Sequence, residues 1–327
     1  MPRVLVLFAA VLFGTTGTAQ ALGPEGSPIE VGAARVAVGA ALLALAAWGV
    51  ERWRGRAAEG GAEARGAGAE GRRGRGGEAR GVGGAARPWP LLALAGAAVG
   101  VAGYQLAFFA AVDDTGVAVG TVVALGSAPA MAGLLGRVAG GAALTGRWAA
   151  STGLATVGVI LLVLAGSEAR VSLPGVLLAL GAGASYAGYT VGSKRMLDAG
   201  HAPEAVMART FGAGAILLAP VLLASGGGPL ATSDGLLLAL YLGAIPTALA
   251  YVLFARGLRE ISAAETATLT LAEPVTAAAL GALVLSERPG ALAVVGAALV
   301  LGGLAVLAFP RRDRSARRRL VAAEASA

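Results

Sequence analysis

The chain has 327 residues, of which 56% are hydrophobic and only 14% charged, with a mean hydropathy of +0.74 and a formal net charge of +7. A soluble domain carries about 25% charged residues, so this composition argues for repeated passage through a membrane. With no cysteine and a single histidine, His201, the chain excludes disulfides, thiolate metal sites and cysteine nucleophiles, and most zinc sites and histidine triads.

A helix needs about 20 apolar residues, at 1.5 Å each, to cross about 30 Å of hydrocarbon. Ten segments meet or approach this length. They are 4–22, 31–50, 90–111, 115–136, 147–166, 173–192, 204–224, 235–255, 262–285 and 290–309. They lack the polar–apolar alternation of a β-barrel, so helices must satisfy their backbone in lipid. The predicted class is an all-α integral membrane protein with ten transmembrane helices.

Residues 1–21 read in two ways. They form a first span, or a secretory signal in which Ala19-Gln20-Ala21 is the cleavage site. Retention is expected, because the internal repeat described below needs a first helix. The second span opens at Ser27-Pro28 and carries Arg35. Between the second and third spans, residues 51–87 hold nine Arg and five Glu among Gly and Ala. Such a stretch buries too little apolar surface to order itself and reads as a disordered loop. Its Arg/Gly run at 71–77 has no interleaved aromatics, so no nucleic acid is expected as a partner.

The third span holds Tyr104 and Gln105 about 14 residues in, deeper than a headgroup anchor sits; a buried Gln needs a partner or water. Pro129 lies inside the fourth. The sixth holds Ser185, Tyr186, Tyr189 and Thr190. Tyrosine in a span also serves as an interfacial anchor, which is the preferred reading for Tyr189. The seventh opens at Ala202-Pro203 and carries Arg209, and the eighth carries Tyr251. Arg35 and Arg209 read as snorkelling to opposite faces, or as a paired gate or contact for an anionic substrate. The ninth span holds two carboxylates. Glu265 sits in a first turn, where the helix dipole stabilises it, and a coupling role is the alternative. Glu273 lies mid-span beside Pro274, which leaves the carbonyl of residue 270 without its usual donor. It reads as a substrate-amine partner or proton acceptor, or as a protonated packing residue, because ions at membrane depth are costly and face cavities. Pro129 and Pro274 are the expected helix kinks. The pairs Gly96/Gly100, Gly116/Gly120 and Gly136/Gly140 read as helix packing and leave monomer and homodimer open.

Threading ten spans from a cytoplasmic N-terminus puts 23 of the 26 basic residues inside, leaving only Arg35, Arg170 and Arg288 outside. The positive-inside rule therefore predicts cytoplasmic termini, with 310–327 a basic cytoplasmic tail.

The halves of the chain repeat. Pro28…Arg35 matches Pro203…Arg209, Tyr104 matches Tyr251, and Pro129…Gly136 matches Pro274…Gly281. Five helices per half would make the second copy inverted, the mark of alternating-access transporters with a mid-membrane site.

Phe13-Gly14-Thr15-Thr16, the two Pro…Arg openings, Ala272-Glu273-Pro274-Val275, and Leu285-Ser286-Glu287-Arg288-Pro289 followed by Gly296 resemble the EamA family of the drug/metabolite transporter superfamily. The resemblance covers residues 4–309. It departs at Gly141-Ala142-Ala143-Leu144-Thr145, where the family has an acid before Leu-Thr, and in the length of 51–87. It implies two EamA-like repeats, 4–166 and 173–309. It also implies a non-enzymatic secondary transporter of small metabolites such as amino acids in the inner membrane, with export the expected direction. No cofactor or metal is implied, and the partners are a small-molecule substrate and membrane lipids. Expected substrate contacts are Tyr104, Gln105, Tyr186, Tyr251 and Glu273, with Arg35, Arg209 and Glu265 in gating or coupling. A membrane enzyme of lipid-linked substrates would need clustered Asp or His, and the five Asp are scattered. A non-transporting scaffold is the remaining alternative.

Overall fold

The computed structural model describes residues 1–69, 88–141, 143–164 and 172–308, and among these there are helices and no strand. The helices are α1 (Pro2–Leu22), α2 (Pro28–Ala69), α3 (Leu91–Val138), α4 (Gly146–Leu164), α5 (Leu173–Asp198), α6 (Pro203–Ala224), α7 (Ser233–Gly243), α8 (Ala250–Leu258), α9 (Ala263–Leu269), α10 (Ala272–Val284) and α11 (Ala291–Ala308). A 3₁₀ turn, Gly228–Ala231, precedes α7. Among the described residues, eight stretches are long and apolar enough to cross a membrane: Pro2–Leu22, Pro28–Ala57, Leu91–Val138, Gly146–Leu164, Pro203–Ala224, Ser233–Leu258, Ala263–Val284 and Ala291–Ala308. α5 has the length, at 26 residues, but its polar side chains keep it out of that set. The molecule is an all-helical integral membrane protein.

Pro28, Pro203 and Pro2 each open a helix, where a missing N–H costs nothing. α2 runs on to Ala69, well into the stretch whose composition reads as disordered. Ala, Arg and Glu are strong helix formers, so the helix outlasts its apolar part. The rest of that stretch, 70–87, and the basic tail, 310–327, lie outside the described residues.

At 48 residues, α3 would be about 72 Å long if straight, twice the hydrocarbon thickness. It is interrupted at Gly116, with φ 79° and ψ 161°, directly after Asp113-Asp114-Thr115. This backbone region is essentially closed to residues with a Cβ. No atom lies within 4 Å of where a Cβ at Gly116 would sit, so the cost of a side chain there is purely conformational. Gly116→Ala is expected to destabilise the protein by ~1–3 kcal/mol, read as a lower thermal unfolding midpoint in detergent.

Packing is long-range. α3 lies along α5, α2 against α6, α4 against α11, and α1 against α8 and α10. α4 and α11 touch backbone to backbone: a Cβ on Gly158 would sit 2.6 Å from both Gly296 O and Val300 N. The same pair is zipped by Ser151 Oγ donating to Gly303 O at 2.6 Å. Arg147 adds bonds to Val306 O (2.7 Å) and Leu307 O (3.0 Å), the carbonyls at the end of α11, where a cation also suits the helix dipole. A π-turn, Ala244–Leu249, joins α7 to α8 around Pro246. Pro246 has no N–H for the carbonyl of Leu242, and Thr247 Oγ1 donates to that oxygen at 2.7 Å instead.

Candidate functional site

The ninth predicted span is broken. α9 ends at Leu269 and α10 begins at Ala272, with Thr270 and Leu271 in a turn between them. Glu273 therefore lies in the first turn of a helix that starts inside the protein, and Pro274 follows it at a position that needs no donor. The expected open carbonyl at residue 270 is not open. Thr270 O accepts from Glu273 N at 2.9 Å, an i→i−3 bond that tightens the turn. Thr270 also anchors the break sideways, since its Oγ1 and the Tyr186 hydroxyl are 2.7 Å apart.

Around this break the rings interlock. Tyr251 packs on Phe13 (centroids 4.9 Å apart), on Phe211 (4.2 Å) and on Tyr189 (6.0 Å). Tyr189 meets Tyr186 edge-on at 4.9 Å. Tyr104 meets Tyr186 at 6.3 Å and stacks on Phe108 at 5.4 Å. α1, α3, α5, α6 and α8 each contribute to this cluster.

Two opposite charges border it. Arg35, on α2, donates through Nη2 to Gln105 Oε1 at 3.2 Å. Glu273 is partly buried, and among the described residues its carboxylate makes no hydrogen bond or ion pair. It lies within electrostatic range of Arg35 and of the hydroxyls of Tyr104, Tyr186 and Tyr251. Arg35, Tyr104, Gln105, Tyr189, Phe211 and Tyr251 together line a small space of about 10 Å³. A cation on α2 thus borders a wall of tyrosines, with a carboxylate at the start of α10 in electrostatic range of both. Chemically, such a site can hold a small molecule bearing both charges, or exchange a proton through the carboxylate.

Of the predicted contacts, the structure brings together Tyr104, Gln105, Tyr186, Tyr251 and Glu273, with Arg35 beside them. Two others lie elsewhere. Glu265 pairs with Arg3 at 3.0 Å, and its N–H is capped by Ser262 Oγ at 3.1 Å. Arg209 is exposed, its guanidinium 3.9 Å over the Trp89 ring, which in turn stacks on His201 at 3.8 Å. Pro129 is buried within α3, and the only non-helical backbone inside that helix is at Gly116; Pro274 stands next to the α9–α10 break.

Tyr189 corrects the reading as a headgroup anchor. It is 2% exposed, at the centre of the ring cluster. Its spacing from Tyr186, one helical turn, is the signal that puts both on one face. Phe211 was not singled out, and Phe13 only as part of the Phe13–Thr16 motif, because an apolar residue in an apolar span carries no local mark of the face it presents.

The chain matches the model of the EamA-like transporter family over residues 173–309. It is similar to the uncharacterized transporter YwfM of Bacillus subtilis (strain 168), 39% identical over 320 residues that make up 96% of each chain. It is also similar to the uncharacterized protein PA1977 of Pseudomonas aeruginosa, 36% identical over 188 residues, 57% of this chain and 62% of the relative. A solved crystal structure shares the fold with a TM-score of 0.71 at 21% identity, covering 93% of this chain and 95% of that one.

Proposed function

The chain belongs to the EamA-like transporter family, and from that premise we propose that it exports small metabolites, amino acids or related compounds, by alternating access around the Arg35–Glu273 cluster. As a membrane transporter its partners are a small-molecule substrate and the lipids around it. The observation that carries the proposal is a cation lining the tyrosine cluster with a carboxylate, unpaired among the described residues, in its electrostatic range.

In this reading the spans number ten. Dividing α3 at Gly116 and counting α5 brings the eight apolar stretches to that figure. The halves, 4–166 and 173–309, are then inverted repeats. The pairing of helices supports this. An exchange of the two halves swaps span 2 with span 7 and span 5 with span 10, and these are the pairs α2–α6 and α4–α11. It also turns the packing of span 6 on spans 3 and 4 into that of span 1 on spans 8 and 9, which is α5 on α3 and α1 on α8 and α10. The repeats differ in chemistry. Aligning Pro129 with Pro274 sets Ala128 opposite Glu273, so the carboxylate belongs to one half only.

The protein is assigned to the cell inner membrane with both termini in the cytoplasm. A reporter fused after Arg319, or inserted near Gly68, is expected to read cytoplasmic, and one near Gly227 external. A tail found outside would remove the ten-span arrangement. N-terminal sequencing is expected to find residues 1–21 retained; α1 puts Val6, Ala9, Ala10 and Phe13 into the buried core. The function itself is tested by an uptake and efflux screen of small metabolites in cells over- and under-expressing the protein. Unchanged solute pools in both would overturn it.

A further inference from the structure

Two buried N–H donors beside the tyrosine cluster have no acceptor among the described residues. Gln105 is 2% exposed, and its Oε1 faces Arg35 Nη2. A guanidinium has donors only, so the amide must turn its oxygen to Arg35, and its Nε2 is the end left over. That nitrogen finds no partner among the described residues, and neither does Arg35 Nε. Both side chains line the same small space as Tyr104, Tyr189, Phe211 and Tyr251. Buried polar groups are almost always paired, and an orphan at a built site calls for an explanation.

The backbone is shaped to keep the amide there. Gly32 lies one turn ahead of Arg35 on α2, and a Cβ on it would sit 2.5 Å from Gln105 Nε2 and 2.6 Å from the Phe109 ring. The amide therefore rests against bare backbone, a position that Gln105 could not hold beside any larger residue. Among the described residues Arg35 has no acidic partner in an ion pair. Glu273 is in electrostatic range but does not close on it.

We propose that Arg35 and Gln105 form an anion subsite that takes the carboxylate of the transported solute, with Arg35 Nε–H and Gln105 Nε2–H as its donors. One cation with two neighbouring N–H donors matches the two oxygens of a singly charged carboxylate. The rings of Tyr104, Phe211 and Tyr251 then contact an apolar body, and a cationic end of the solute, where present, faces Glu273. The space, about 10 Å³, holds no more than about one water, so the rings must part for the carboxylate to enter. This rests on the reading of the cluster as the substrate cavity.

The test uses the purified full-length protein and three compounds of one shape: L-leucine, L-leucinamide, and 4-methylpentanoate. Thermal unfolding is followed against the concentration of each. The two carboxylates are expected to raise the unfolding temperature, L-leucine more strongly, and the amide to have little effect. Gln105→Leu, Arg35→Gln and Gly32→Ala are each expected to shift the carboxylate response to roughly tenfold higher concentration or beyond, the loss of a charge-assisted hydrogen bond. Arg209→Gln should leave it unchanged. If Arg35→Gln does not fold, Gln105→Leu carries the test, since it removes the donor and keeps the side chain's bulk in an apolar setting. Equal stabilisation by the amide, no stabilisation by any of the three, or an unchanged response in Gln105→Leu would each overturn the subsite. Solute flux in proteoliposomes is measured separately. A carboxylate response without flux of any solute would refute export and leave the subsite standing.

Discussion

Glu273→Gln is expected to reach the membrane in normal amounts and to lose transport by at least about tenfold, or to lose its dependence on pH. The substitution keeps the volume and the hydrogen-bonding capacity of the side chain while removing its titration and charge. Holding an ion at membrane depth costs at least about 2.5 kcal/mol on insertion scales, a cost that a purely structural side chain would avoid. In this protein no fixed partner offsets it: the carboxylate makes no ion pair or hydrogen bond among the described residues, and Arg35 stands in range without closing on it. Its helix starts at the break between α9 and α10, so Glu273 lies in the first turn of a helix that begins inside the protein. Glu287→Gln, in the exposed connector after α10, should have a smaller effect. Measuring substrate flux in proteoliposomes across a range of pH decides the matter. Wild-type flux by Glu273→Gln at every pH would make Glu273 a packing residue and return the search to Tyr104 and Gln105.

Gly158→Leu is expected to cost the protein its fold. A Cβ at this position would meet Gly296 O and Val300 N, each at 2.6 Å, and Val300 Cγ2 at 2.8 Å. Two of these three obstacles are backbone atoms of α11, which cannot swing aside as a side chain does. The helices must separate, and with them go the Ser151–Gly303 and Arg147–Val306 bonds that depend on the close approach. Overpacking costs ~1–3 kcal/mol where side chains can adjust, so this contact should exceed the upper end. Gly153→Leu on the same helix is the control, because nothing lies within 4 Å of its Cβ. Size-exclusion profiles and thermal unfolding in detergent should show aggregation or a large loss of stability for the first and near-normal behaviour for the second. An unaltered unfolding temperature for Gly158→Leu would mean that the α4–α11 contact is looser than described.

That the chain crosses a membrane as apolar helices was legible along the sequence. Length, hydropathy and the placement of Arg act in one dimension, since the bilayer imposes a single thickness and a single polarity axis on every segment. Tyr104 and Gln105, picked out as polar groups too deep to be anchors, and Tyr251, picked out by its match to Tyr104 in the repeat, line one space in the structure, with the mid-span carboxylate of Glu273 in electrostatic range. The same logic misled where depth is not the deciding quantity. Tyr189 has the same chemistry as an interfacial anchor, yet it is in the core. Arg35 and Arg209 open their helices in the same manner, but only Arg35 turns to the cluster. Arg209 finds the ring of Trp89, a residue 120 positions away at the end of a connector. The start of α10 within a span was marked only by Pro274, and the bare backbone of Gly32 under Gln105 was invisible in the order of residues. In water an apolar stripe marks the buried face of a helix. In lipid both the outside and the inside of the bundle are apolar, and the stripe disappears. Which face turns inward then depends on where backbones approach closely enough to touch and where buried donors meet acceptors, and those are contacts between residues far apart in the chain.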